Sequence, residues 1–177
     1  MKSVLIAIRP QWCEKIASGK KTIEVRKTAP KEVPFKAYIY ETYDKKYVDI
    51  GICWGKGKCF EHGCKKVIGE FICDKVERFS VGSLRSDDIE KLACLSYNEM
   101  INYFYKPEEL DGKTVKQGFA WHISELKIYD KPKELREFKT DCNRCKERDT
   151  YHCKFHCYGE RLLTRPPQSY MYVRELL

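Results

Sequence analysis

Two periods of hydrophobic and polar residues alternate along the chain. Residues 4–8 (Val-Leu-Ile-Ala-Ile) form an unbroken apolar run closed by Arg9, which predicts a buried strand. Pro10 then suits the first turn of a helix, where its missing N–H removes no bond. Trp12, Cys13, Ile16 and Ala17 recur at helical spacing, and Gly19 stands where a left-handed C-cap is wanted. Over residues 21–26 the period becomes two. Ile23 and Val25 take one face, and Thr22, Glu24 and Arg26 the other.

Residues 37–42 read as a further strand, and residues 118–128 as another. Residues 66–76 read as a long strand in which Gly69 marks a bulge or bend. Residues 86–95 and 96–103 read as helices, with Asp87 and Ser96 as candidate N-caps. Residues 44–64, rich in Lys, Gly and Cys, read as an inserted loop or hairpin. Lys131-Pro132 marks a boundary. Beyond it lie clustered cysteines, the Pro166-Pro167 stretch and a strand-like segment over residues 170–173. Strands outnumber helices, which predicts a small mixed α+β barrel with helices outside it.

Charge adds a direction to this picture. The 177 residues carry +8 overall, and residues 1–36 hold nine Lys/Arg against Glu14, Glu24 and Glu32, a local +6. Such an excess draws polyanions by counterion release, or is simply a solvated lysine-rich surface. With 34% charged residues, no segment approaches the roughly 20 apolar residues that span a bilayer. Arg9 stops the first apolar run short of a secretory signal, so the expectation is a soluble, cytoplasmic protein with no membrane partner.

Ten cysteines without a secretory signal point to metal rather than disulfides. Cys142-x2-Cys145-x7-Cys153-x3-Cys157 offers four thiols, a closed structural zinc site if all four bind. His152 and His156 leave a Cys2His2 set with Cys142 and Cys145 open, though thiolates bind zinc well unaided. Of the spread cysteines Cys13, Cys53, Cys59, Cys64, Cys73 and Cys94, most read as small buried hydrophobes.

Three ordered landmarks resemble the ASCH family of the PUA-like superfamily. The first is Gly19, Lys21, Glu24 and Arg26, a Gly-x-Lys-x-x-Glu-x-Arg pattern after the Trp12 helix. The others are Val67-Ile68-Gly69-Glu70-Phe71 and Phe119-Ala120-Trp121-His122-Ile123. The resemblance covers residues 1–130, leaving 131–177 as a cysteine-rich, zinc-stabilised extension. The cysteines and Arg165-Pro166-Pro167-Gln168-Ser169 are similar to those of prophage-associated members.

The resemblance implies a PUA-like β-barrel with flanking helices and a cleft beside the first helix that takes RNA or a modified nucleobase. Lys20, Lys21, Glu24, Arg26 and Trp121 are the expected nucleic-acid contacts. Lys21 and Arg26 can pair with phosphates, Glu24 can accept from an exocyclic amine, and Trp121 can stack a base. Against this, Trp12 is expected in the core, Trp121 is as readily buried, and Glu24–Arg26 can be a plain surface ion pair. Some members hydrolyse acetylated cytidine with a Lys-x-x-Thr string. Lys21 matches its lysine, but Glu24 occupies the threonine position, which withholds the nucleophile. A nucleic-acid-modifying hydrolase and a protein-interaction adaptor therefore remain the alternatives to a binding module.

Overall fold

The computed structural model describes residues 1–44, 63–82, 86–110, 114–141 and 160–176. In chain order the elements begin β1 (Lys2–Ile8), α1 (Pro10–Ala17), β2 (Ile23–Arg26), β3 (Phe35–Glu41), β4 (Val67–Cys73) and β5 (Val76–Ser80). They continue α2 (Ser86–Ala93), α3 (Tyr97–Phe104), β6 (Gln117–His122), β7 (Ser124–Lys133) and β8 (Phe138–Asp141). The last are β9 (Glu160–Leu162), β10 (Tyr170–Tyr172) and β11 (Arg174–Glu175). This is a mixed α+β fold. Its strands pair as a five-stranded sheet β10-β1-β3-β4-β7 and two three-stranded sheets, β2-β6-β5 and β11-β8-β9. No helix among the described residues is long and apolar enough to cross a membrane.

The apolar run of β1 is unbroken because both faces of the main sheet are covered. Val4, Ile6 and Ile8 pack with Ala37, Ile39, Phe71 and Trp121 beneath Cys13 and Ile16 of α1. Leu5 points the other way, into a cluster of Tyr38, Tyr40, Val67 and Tyr129 with Phe138, Leu163 and Val173. A third cluster joins Ile23 and Val25 of β2 to Ile89, Ala93, Met100 and Phe104 of α2 and α3.

The local signals act where they stand in the sequence. Pro10 opens α1, and Gly19 adopts φ +71°, turning the chain from the helix into β2. Ser96 caps α3: its hydroxyl accepts from the Glu99 amide while the Glu99 carboxylate accepts from the Ser96 amide at 2.9 Å. At Gly69 the β4–β7 register shifts. A Cβ there would meet the Lys127 carbonyl oxygen at 2.5 Å, so the close strand approach requires glycine.

Two expectations change. Residues 66–76 are not one strand, because the chain leaves the main sheet after Cys73 and re-enters the β2-β6-β5 sheet at Val76. Likewise, residues 118–128 divide at Ile123 into β6 and β7, in different sheets. Alternation reports which face a residue takes, not which sheet its strand joins. The expected division at residue 130 falls inside β7, and β10 from the extension pairs antiparallel with β1.

Candidate functional site

The first helix, α3 and the sheets that contain β1 and β2 leave a cleft of about 770 Å³. Its walls come from Ile8 and Arg9 at the end of β1, Trp12 of α1, and Glu99, Asn102 and Tyr103 of α3. Pro167 and Gln168, from the chain before β10, complete it. On its floor β2 and the residues leading into it bring together Lys21, Glu24 and Arg26, the charged residues of the Gly-x-Lys-x-x-Glu-x-Arg pattern.

These three are only 2%, 6% and 7% exposed. Glu24 lies between the two cations: Oε2 is 3.3 Å from Lys21 Nζ, and Oε1 is 3.0 Å from Arg26 Nη2. Each cation is also tied to backbone. Lys21 Nζ donates to the Ala93 carbonyl at 2.8 Å, at the C-terminal end of α2, where a cation meets the negative end of the helix dipole. Arg26 Nη2 donates to the Ala7 carbonyl at 2.7 Å. Arg26 Nε is buried and without a hydrogen-bond partner among the described residues. A surface ion pair is thereby excluded: this is a buried triad with net charge +1.

Aromatic rings bracket the triad. Lys21 Nζ lies 5.5 Å from the centroid of the Trp12 ring, and Lys15 Nζ lies 4.6 Å from it. At the other end Tyr103 lines the cleft with Arg26, and Lys27 Nζ lies 5.2 Å from the Tyr103 ring centroid. Burial pushes the Tyr103 phenol above its usual range; Arg26 opposes this and Glu24 adds to it. Beneath the cleft, burial holds the Cys13 thiol well above its ordinary value, with Glu41 and Glu24 adding to the effect, so Cys13 is not a nucleophile in waiting.

Trp121 is placed differently from the stacking position expected of it. It is fully buried in the first core cluster, edge-on to Phe35 at 5.0 Å and to Tyr170 at 5.2 Å, and it presents no face to the cleft. Trp12, expected in the core, packs against that cluster yet also lines the cleft. Lys20 is exposed beside the cleft rather than on its floor. Cys142, Cys145, Cys153 and Cys157 lie outside the described residues, and so do His152 and His156. Glu99, Asn102 and Tyr103 were not anticipated, although their i, i+3, i+4 spacing opposite the buried Met100 and Phe104 is a legible second face of α3.

The fold and the cleft together define an α+β protein whose first helix closes a polar-floored pocket against two sheets. It has the fold of ASCH proteins of known structure. The chain is similar to the crystal structure of ASCH from Zymomonas mobilis, with 21% identity over 98% of this chain and 88% of that one, at a TM-score of 0.59. A tyrosine-to-phenylalanine mutant of the same protein matches at 19% identity, 98% and 91% coverage and a TM-score of 0.58. A serine-to-alanine mutant matches at 20%, 98%, 89% and 0.57. No protein-family model matches the sequence, and no curated protein is significantly similar to it.

Proposed function

We propose that the protein binds RNA or a modified nucleoside in the cleft between α1 and the sheets. The observation that carries this is the buried Lys21–Glu24–Arg26 triad on the cleft floor. Two cations and one anion held under a pocket form a fixed array of donors and an acceptor, suited to the edge of a heterocycle.

The roles expected of the individual residues shift accordingly. Lys21 and Arg26 are engaged by Glu24 and by backbone carbonyls, so they face a base rather than a phosphate. Phosphate attraction falls to the exposed cations Arg9, Lys20 and Lys27 around the mouth. The hydrolase alternative gains nothing from the site, because Glu24 holds the position where a threonine is needed and uses both oxygens on the cations.

Single-stranded RNA affinity measured at two salt concentrations tests the proposal. Wild-type affinity is expected to fall with salt. Replacing Arg9, Lys20 and Lys27 together with Ala is expected to flatten the log–log slope by about 2, at roughly 0.7 per phosphate contact on a single strand. Unchanged affinity and slope in that variant place the RNA elsewhere or make RNA the wrong ligand. Acetate release from acetylated cytidine overturns the binding reading in favour of the hydrolase.

We further propose one structural zinc ion on Cys142, Cys145, Cys153 and Cys157. Its support is the frame at the ends of that segment: β8 and β9 pair antiparallel with Asp141 opposite Glu160. Glu160 is paired with both Lys139 and Arg174, which fastens the two ends of the segment. A closed four-thiolate site would tie a segment anchored this way and supply its folding energy. Elemental analysis is expected to find about one zinc per chain, retained when His152 and His156 are replaced with Ala. Chelation is expected to open residues 142–159 to protease while the main sheet stays folded. Well under one zinc per chain rejects the site, and zinc lost with the histidines selects the Cys2His2 set.

A further inference from the structure

We infer that Trp12 and Tyr103 are specificity-determining residues that hold one unpaired base over the Lys21–Glu24–Arg26 floor. The cleft would then take a single extruded nucleotide rather than a continuous strand or a duplex. The inference rests on the nucleic-acid reading above and identifies the part of the ligand that reaches the floor.

The rings stand at opposite ends of the triad. Trp12 neighbours Lys21, Tyr103 lines the cleft with Arg26, and Glu24 joins the two cations through different oxygens. A ligand over Glu24 therefore has an aromatic ring at each end. Tyr103 is 39% exposed, and its ring packs edge-on to Phe104 at 5.0 Å, so it is supported on one side and open to solvent on the other. Trp12 is likewise fixed by the core on one side and open to the cleft on the other.

The charges sort by depth. The floor bears a net +1 confined to buried groups, which suits the acceptor-rich edge of a neutral base. Lys15 and Lys27 sit over the two rings, and Arg9 lines the mouth, where a sugar-phosphate would lie. At about 770 Å³ the cleft is within the roughly 300–1,000 Å³ of pockets that enclose one small ligand. A paired base cannot reach the floor without leaving its stack.

The test compares three RNA probes of matched length: a single strand, a perfect duplex, and a duplex with one bulged nucleotide. Binding is measured for wild type, Trp12→Leu, Trp12→Phe, Tyr103→Leu and Tyr103→Phe. The single strand and the bulged duplex are expected to bind, and the perfect duplex to bind at least tenfold more weakly. Each leucine variant is expected to lose roughly five- to 150-fold on the bulged duplex, the range for removing one base–aromatic stack. The phenylalanine variants are expected to keep most of the affinity. Melting temperature is followed throughout, and should Trp12→Leu unfold, the more exposed Tyr103→Leu decides. Leucine variants that bind as wild type does, or equal binding of perfect and bulged duplex, overturn the slot while leaving RNA binding intact. Wild-type protein that binds none of the probes overturns the nucleic-acid reading and the slot with it.

Discussion

Glu24→Ala is expected to lower the free energy of unfolding by about 3–5 kcal/mol, because it leaves two buried cations without their shared anion. The size follows from geometry. Lys21 and Arg26 are each under a tenth exposed, and both reach Glu24 within 3.3 Å. Removing the anion exposes them to each other and to an environment with little water. Glu24→Gln is expected to lose less, since its amide oxygen still accepts one hydrogen bond. A triple apolar replacement of Lys21, Glu24 and Arg26 is expected to recover much of the loss, as buried ionic clusters often tolerate it, while abolishing ligand binding. Urea denaturation measures all three variants. A loss below about 1 kcal/mol for Glu24→Ala would be the behaviour of an exposed pair and would contradict the buried triad.

Phe138→Ala is expected to cost about 3–5 kcal/mol, as large-to-small changes at buried aromatics do. Phe138 lies past residue 130, yet it is fully buried and packs edge-on to Tyr38 of β3 at 4.8 Å. Leu163 and Val173 occupy the same cluster. Intrinsic fluorescence and far-UV circular dichroism of the variant are expected to change in one transition at lower urea. A small loss, or an early separate transition with the main sheet intact, would make residues 131–177 an autonomous appendage.

The elements of the cleft were legible where a residue has a strong local preference. Pro10, Gly19 and Ser96 set helix ends through backbone geometry and short-range hydrogen bonds, and these need no distant partner. The face shared by Glu24 and Arg26 followed from period two. Their burial did not, because it depends on distant parts of the chain meeting over that face: Ala7 of β1, Trp12 of α1 and Tyr103 of α3. Trp121 shows the same gap in reverse. Its strand and face were readable, but Phe35 and Tyr170, which enclose it, come from opposite ends of the chain. Residues 131–177 were legible as a cysteine-rich extension, but not that Phe138, Leu163 and Val173 join a core built by residues before 130.

The pairing of β1 sets a schedule for synthesis. Residues 4–6 leave the ribosome more than 160 residues ahead of residues 170–172, their antiparallel neighbours. Until those emerge, one edge of the strand between them and β3 has no partner, and a long apolar run stands beside it. An unpaired strand edge of this kind templates pairing with other chains. A nascent or nicked protein ending before residue 170 is therefore the form most prone to aggregate, and a strand mimic of residues 170–172 supplied in trans is the natural agent to protect it.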